Sequence, residues 1–274
     1  MFLKVLRGKF PGMPALELSI LIPTYNEGDI IEDTLRKIAA ALGKTLAAKT
    51  EVLIVDDGTD NLVEVVTKAA PAIGFRSVEV LRNSPPLGKG RSLARGFQRA
   101  RGLVVGFLDA DLSTPPSYIL TAYDKLSTNQ TDLFIGSRRH ADAQVTRDQS
   151  ALKDVLGNAL SVVVNGFIFS GGTKYRDTQC GFKFFKNAVA KVLYQDLVAG
   201  DGLTDIEVLI RAGLLNLRVT EQGVIWNDLR ESKRSLKRIF WGEVKSMSAI
   251  LVHYKLFAGK RIQKLKLAAE KLHS

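Results

Sequence analysis

The chain has 274 residues, of which 46% are hydrophobic and 24% charged. That is an ordinary globular balance and excludes a mainly disordered, collagen-like or coiled-coil protein. A single cysteine, Cys180, excludes a disulfide scaffold and suits a reducing compartment, and His140, His253 and His273 lie far apart, so no Cys/His cluster offers a zinc site.

The formal charge of +11 is unevenly placed. Residues 230–274 hold 12 Lys and Arg against 3 Asp and Glu, whereas residues 1–229 are only +2. The composition therefore divides the chain into a nearly neutral body, 1–229, and a basic tail, 230–274. Such a tail suits an anionic partner, either nucleic acid or the phosphates of a membrane.

In chain order, the apolar run Leu16–Pro23 predicts a buried strand, and the spacing of Ile30, Ile31, Leu35, Ile38 and Leu42 predicts a helix. Strands are then expected at Glu51–Val55, Arg76–Leu81, Leu103–Leu108 and Asp132–Ile135. Helices are expected at Asn61–Ala70, Gly90–Arg101 and Pro116–Leu126. This alternation predicts an α/β protein with a mostly parallel sheet flanked by helices. Residues 137–150 are polar and without period, so they read as a loop. Beyond them come an apolar helix at Ala151–Phe169, a strand at Gly181–Phe185, a helix at Thr204–Ala212 and a strand at Leu217–Trp226. Basic helices follow from Ser232 onward.

The stretch Leu156–Phe169 is about 14 residues and carries Asn158 and Asn165, short of the roughly 20 apolar residues of a membrane span. The N-terminal residues lack a continuous apolar core, so no signal peptide is expected. The expectation is a cytoplasmic protein, peripheral on a membrane face.

In open α/β sheets ligands bind beyond the carboxyl ends of the strands. Here those ends deliver Pro23-Thr24-Tyr25-Asn26-Glu27, Asp56-Asp57-Gly58, Asp109-Ala110-Asp111 and Gly136-Ser137-Arg138-Arg139. Any one of these could be a turn or helix cap; four at one edge point to a ligand. Asp109 and Asp111 can share Mg²⁺ or Mn²⁺, hard cations that take oxygen ligands and bind beside substrate phosphates, with Ser113 as a further oxygen. Leu87-Gly88-Lys89-Gly90-Arg91 opens a helix and suits a diphosphate, although a basic turn is an equal reading of those residues. Neither GxxxxGK[ST] nor a GxGxxG after the first strand is present, which argues against a P-loop and a dinucleotide dehydrogenase. Cys180 reads as a small buried hydrophobe.

ILIPTYNE, VDDGT, GKG, FLDADLSTPP, IGSR and RDTQCGFKFF stand here in the order and approximate spacing of family 2 glycosyltransferases. The chain resembles that family from about Leu18 to Trp226. Within it, the run from Arg176 to Lys183, Asp205-Ile206-Glu207 and Trp226 with Ser232-Lys233 resemble the dolichyl-phosphate glucosyltransferase branch of the polyprenyl-phosphate hexosyltransferases.

The resemblance implies a GT-A, Rossmann-like nucleotide-diphospho-sugar transferase fold. It implies transfer of a hexose from UDP-glucose or GDP-mannose to dolichyl or polyprenyl phosphate, metal-dependent and with inversion. It also implies a donor site of Pro23, Tyr25, Glu27, Asp56, Asp57, Lys89, Asp109 and Ala110. Asp109 and Asp111, with Ser113, would form the metal site. Arg138 and Arg147 would face the acceptor phosphate, and Asp177 would lie beneath the sugar. A phosphate monoester with a second pKa of about 6 is already an anion at neutral pH, so this reaction needs no dedicated base. The tail mixes Arg234, Lys237, Arg238 and Lys245 with Leu236, Ile239, Phe240 and Trp241, a composition suited to a membrane surface. The alternatives are a family 2 enzyme with a non-lipid acceptor and a basic nucleic-acid-binding protein. The second leaves the acidic strand ends without a purpose, so no nucleic-acid partner is expected.

Overall fold

The structure is a computed structural model that describes residues 16–146, 175–199, 203–227, 246–256 and 258–270. Its centre is a seven-stranded sheet with the order β3-β2-β1-β4-β7-β5-β8. The strands are β1 (Leu18–Thr24), β2 (Thr50–Asp56), β3 (Ser77–Arg82), β4 (Val104–Leu108), β5 (Leu133–Ser137), β7 (Phe182–Lys186) and β8 (Val219–Gly223). All pair in parallel except β7, which runs antiparallel between β4 and β5.

The sheet is covered on both faces, as a parallel sheet requires. Successive residues of β1 and β2 alternate between two cores. Leu21, Leu53 and Val55 face one side together with Phe97, Phe107, Phe185 and Tyr194. Ile20, Ile22, Val52 and Ile54 face the other, with Leu35, Ile38, Phe182 and Phe184. Helices α1 (Ile31–Ala47), α2 (Leu62–Ala69) and α4 (Tyr118–Ser127) close the second side. Helices α3 (Lys89–Arg99), α5 (Asn187–Leu193) and α6 (Thr204–Leu214) close the first.

Within the described residues the expected elements recur within a few residues, and three features differ. A short helix, α5, follows β7 directly where none was expected; Asn187 begins it by donating to the carbonyls of Ala100 and Gly102. The expected strand Leu217–Trp226 is broken after Gly223, where the chain leaves the sheet as β9 (Ile225–Trp226). β9 pairs in parallel with β6 (Gln144–Val145), inside the stretch read as an aperiodic loop. A two-residue pairing has too little pattern to be seen in sequence.

The basic tail contributes to the first core. Ile250 is fully buried there, with Met247 and Tyr254 packed against the cluster. Residues 246–251 are helical and run into a π-helical turn, Val252–Leu256, followed by α7 (Ala258–Glu270). Among the described residues no helix is long and apolar enough to cross a membrane. The helix expected at Ala151–Phe169, Arg147 and the start of the tail lie outside the described residues.

Candidate active site

The chain leaves β1 towards β2 and β3 on one side, while β4 adds to its other side, so β1 and β4 flank the point where the strand order reverses. Their carboxyl ends open there into a cleft of about 210 Å³. Its wall includes Pro23, Tyr25, Glu27, Asp57, Lys89, Asp109, Ala110 and Asp111, together with Thr24, Val55 and Ser92. Eight residues expected at a donor and metal site thus meet across three strand ends and the start of α3.

Local chemistry explains each arm. Asn26 takes a positive φ of 56°, which asparagine tolerates, and its Oδ1 accepts the Thr59 N–H at 2.8 Å. This turn leaves Tyr25 60% exposed at the cleft. Asp57 is buried and organises the opposite rim. Its Oδ1 accepts from Asn83 Nδ2 (2.7 Å), Ser92 Oγ (3.0 Å) and the Leu87 N–H (3.1 Å), and its Oδ2 from the Gly88 N–H (2.7 Å). Gly88 has φ 85°, a conformation open to glycine, and it turns the chain into α3 with Lys89 as the first helical residue.

Asp56, expected in the donor site, lies behind the cleft wall. It is fully buried and absent from the cleft wall. Its oxygens accept from Thr24 Oγ1 (3.0 Å), the Gly58 N–H (2.9 Å) and Arg82 Nε (2.7 Å). In this structure it ties the first two strand ends together. Ser113 also lies off the wall; its N–H donates to Asp111 Oδ1 at 2.9 Å and its carbonyl accepts from the Asn227 N–H at 2.8 Å. Ser113 thereby orients Asp111.

Within the cleft Lys89 and Asp109 form an ion pair. Lys89 Nζ lies 2.6 Å from Asp109 Oδ1. Burial alone would lower the lysine pKa, but the Asp109 and Asp205 carboxylates outweigh it and hold the ammonium above its usual range. Behind this pair Lys183, fully buried, donates to the Cys180 carbonyl at 2.7 Å and lies 3.1 Å from Asp205 Oδ1. Both ammonium groups sit over the Phe107 ring, at 5.4 and 5.7 Å from its centre. Residue 181 must be glycine for this arrangement, because a Cβ there would stand 1.8 Å from Asp109 Oδ2.

Arg138, at the end of β5, is mostly buried and grips Asp177. Its Nε and Nη2 donate to Asp177 Oδ2 and Oδ1 at 2.7 and 2.9 Å, and its backbone N–H to Oδ2 at 2.9 Å. The guanidinium also lies 5.3 Å from the Trp226 ring centre. Burial pushes the Asp177 carboxyl up, but the Arg138 bonds more than reverse this and hold it at about 2. Cys180 is buried beside this pair. Burial, reinforced by Asp177, raises its thiol to about 11, so it is not a thiolate nucleophile at neutral pH.

A divalent cation fits the cleft in a specific sense. Asp109 and Asp111 offer hard oxygen donors, and no group of three or more His, Cys, Asp and Glu exists among the described residues. Two carboxylates with an open side suit a cation that completes its shell with water and substrate phosphates. A larger cavity, about 520 Å³, lies between α5, α6 and α7. There Arg211 is held by Glu207 at 2.6 Å and Lys264 by Asp196 at 2.6 Å, and none of the strand-end groups line it.

Sequence reasoning missed Lys183, Glu207 and Tyr254 as members of this framework. A lysine within FKFF was a usable signal, because a charge between core phenylalanines needs a buried partner.

The glycosyl transferase family 2 model matches residues 19–194. The chain belongs to that family and is a glycosyltransferase. The dolichyl-phosphate beta-glucosyltransferases of Drosophila melanogaster and Saccharomyces cerevisiae are 32% and 30% identical to it. The matches cover 82% and 80% of this chain and 72% and 69% of those proteins. Glycosyltransferase AglD of Haloferax volcanii is 30% identical over 83% of this chain, which spans only 36% of that longer protein. Among solved structures, glucosyl-3-phosphoglycerate synthase of Mycobacterium tuberculosis, in complex with Mn²⁺, UDP and its product, superposes with a TM-score of 0.61. The match covers 86% of this chain and 78% of that one at 16% identity, which establishes the shared GT-A fold.

Proposed function

We propose that the protein transfers a hexose from a nucleotide sugar, UDP-glucose before GDP-mannose, to dolichyl or polyprenyl phosphate with inversion. The observation that carries the reading is the convergence of Asp109, Asp111 and Lys89 on one cleft at the reversal of strand order. The names of the Drosophila and yeast relatives favour glucose and a lipid phosphate.

In this mechanism exposed Tyr25 and the Pro23–Glu27 turn receive the nucleotide, with Asp57 shaping the rim. Asp109 and Asp111 would hold Mg²⁺ or Mn²⁺, whose charge would offset that growing on the leaving diphosphate. Lys89 adds a second positive charge at the same cleft. The nucleophile is a phosphate oxygen that is already ionised, so the chain supplies positive charge and alignment. Arg138 serves the acceptor phosphate, with Asp177 setting the plane of its fork. Arg147 joins it in this reading.

The tail, 230–274, meets the membrane surface in the same proposal, and the body, 1–229, carries the chemistry. Support comes from α7, where Lys264, Lys266 and the 53%-exposed Leu267 face outward while Leu265 is buried.

The direct test incubates the protein with UDP-glucose or GDP-mannose, Mn²⁺ or Mg²⁺ and polyprenyl phosphate. Radiolabel should enter the lipid phase, and Asp111→Ala should remove most of the turnover while the fold survives. Full activity of Asp111→Ala, or of the wild type in excess chelator, would sink the metal-site assignment. Label confined to a water-soluble product would sink the lipid acceptor.

A further inference from the structure

The carboxylate best placed for a cation already holds one, the Lys89 ammonium at 2.6 Å from Asp109 Oδ1. The backbone beneath Lys89 has little freedom. Gly88 is tied to Asp57 at 2.7 Å, and Gly90 abuts α6 so closely that a Cβ would come within 1.9 Å of Thr204 Oγ1. The neighbouring residue, Asp205, is itself held by Lys183 at 3.1 Å. The Lys89 ammonium, about a third exposed, ends a flexible four-carbon stem and can leave Asp109 without moving that backbone. A dication arriving at Asp109 meets an ammonium already in contact with the oxygen it needs, and like charges in a half-buried cleft repel strongly.

We propose that Lys89 is an internal competitor for the divalent cation. In the nucleotide-free protein its ammonium occupies Asp109 and keeps cation affinity low. A nucleoside diphosphate gives the ammonium a second anionic partner, so Asp109 is released as the diphosphate enters and the cation binds with the nucleotide. Binding of the two ligands is thus coupled through one side chain, and by linkage the coupling is reciprocal. The inference rests on the nucleotide-sugar reading of the cleft. It adds that the cation and the nucleotide each favour binding of the other through Lys89.

The test measures Mn²⁺ binding to the full chain by the EPR signal of free Mn²⁺, with and without UDP or GDP. It compares wild type, Lys89→Gln and Lys89→Arg, with circular dichroism to confirm folding. Without nucleotide, Lys89→Gln should bind Mn²⁺ about tenfold more tightly than wild type, within the usual range of coupling between sites. Lys89→Arg keeps the charge and should stay as weak as wild type. The gain should vanish in Lys89→Gln/Asp109→Asn, which places it at this carboxylate. Equal nucleotide-free affinity in wild type and Lys89→Gln, with nucleotide-dependent Mn²⁺ uptake intact, would overturn the competitor role alone. A tightened Lys89→Arg would overturn it equally. No Mn²⁺ uptake by any variant, even with UDP or GDP, would overturn the donor-site reading as well.

Discussion

Arg138 and Asp177 form a closed, three-bond contact in which the side chain and the backbone N–H of one residue grip a single carboxylate of the other. The contact joins the end of β5 to the segment that enters β7, and Trp226 lies over the guanidinium. An arginine that the sequence presents as a loop cation is therefore an oriented, mostly buried one.

Asp177→Asn should show this in stability. The partner of a buried guanidinium is removed, which costs about 3–5 kcal/mol. The Asp177 carboxyl is held at about 2, below its unfolded value of about 3.9. A depressed acid contributes stability above the unfolded pKa and loses it as pH falls through the folded one. The gap between wild type and variant in urea midpoints should be full at pH 7 and should shrink between about pH 4 and pH 2. A gap independent of pH would show that the carboxylate charge is not what holds Arg138.

Gly181→Ala tests how tightly the acidic pair is placed. The added methyl would overlap Asp109, so the carboxylate must move while the core strand β7 remains. Transfer should fall about 10²-fold, the usual consequence of misplacing a reacting group by an ångström, with little change in thermal stability. Wild-type turnover in this variant would mean that Asp109 does not need its present position.

Tyr254→Phe addresses the tail. The Tyr254 hydroxyl accepts from Arg211 Nε and donates to Glu207 Oε1, each at 2.7 Å, and Glu207 also receives the N–H groups of Val198 and Ala199. Loss of hydrogen bonds to charged groups should lower stability by about 2 kcal/mol, read as a drop of roughly 4–8 °C in Tm. An unchanged Tm would argue that the Tyr254 hydroxyl adds nothing to the Arg211–Glu207 pair it bridges.

Membrane contact is best tested without truncation, because removing residues 232–274 would strip Ile250 and Tyr254 from the core. Lys264→Gln/Lys266→Gln should weaken binding to phosphatidylserine vesicles by up to about thirtyfold, taking about 1 kcal/mol per lysine near an anionic surface. The remaining difference should fade as salt rises. Vesicle binding equal to wild type at low salt would remove α7 from the interface.

The alternating apolar runs are sufficient for the mostly parallel sheet, and four strand ends display a polar group in plain view: Asn26, Asp57, Asp109 and Arg138 all follow an apolar run. These signals are local, since strand and helix periods and the residue after a strand depend on near neighbours. What tertiary structure alone decided depends on residues distant in sequence. It buried Asp56 under Arg82 and turned Ser113 into a support for Asp111. It set Lys183 against Asp205 and brought Tyr254 from the basic tail onto Glu207. Most consequentially, it closed Lys89 onto Asp109, twenty positions away. A charged side chain looks the same in sequence whether it faces water or a counter-ion, because burial and pairing are set by which elements pack together.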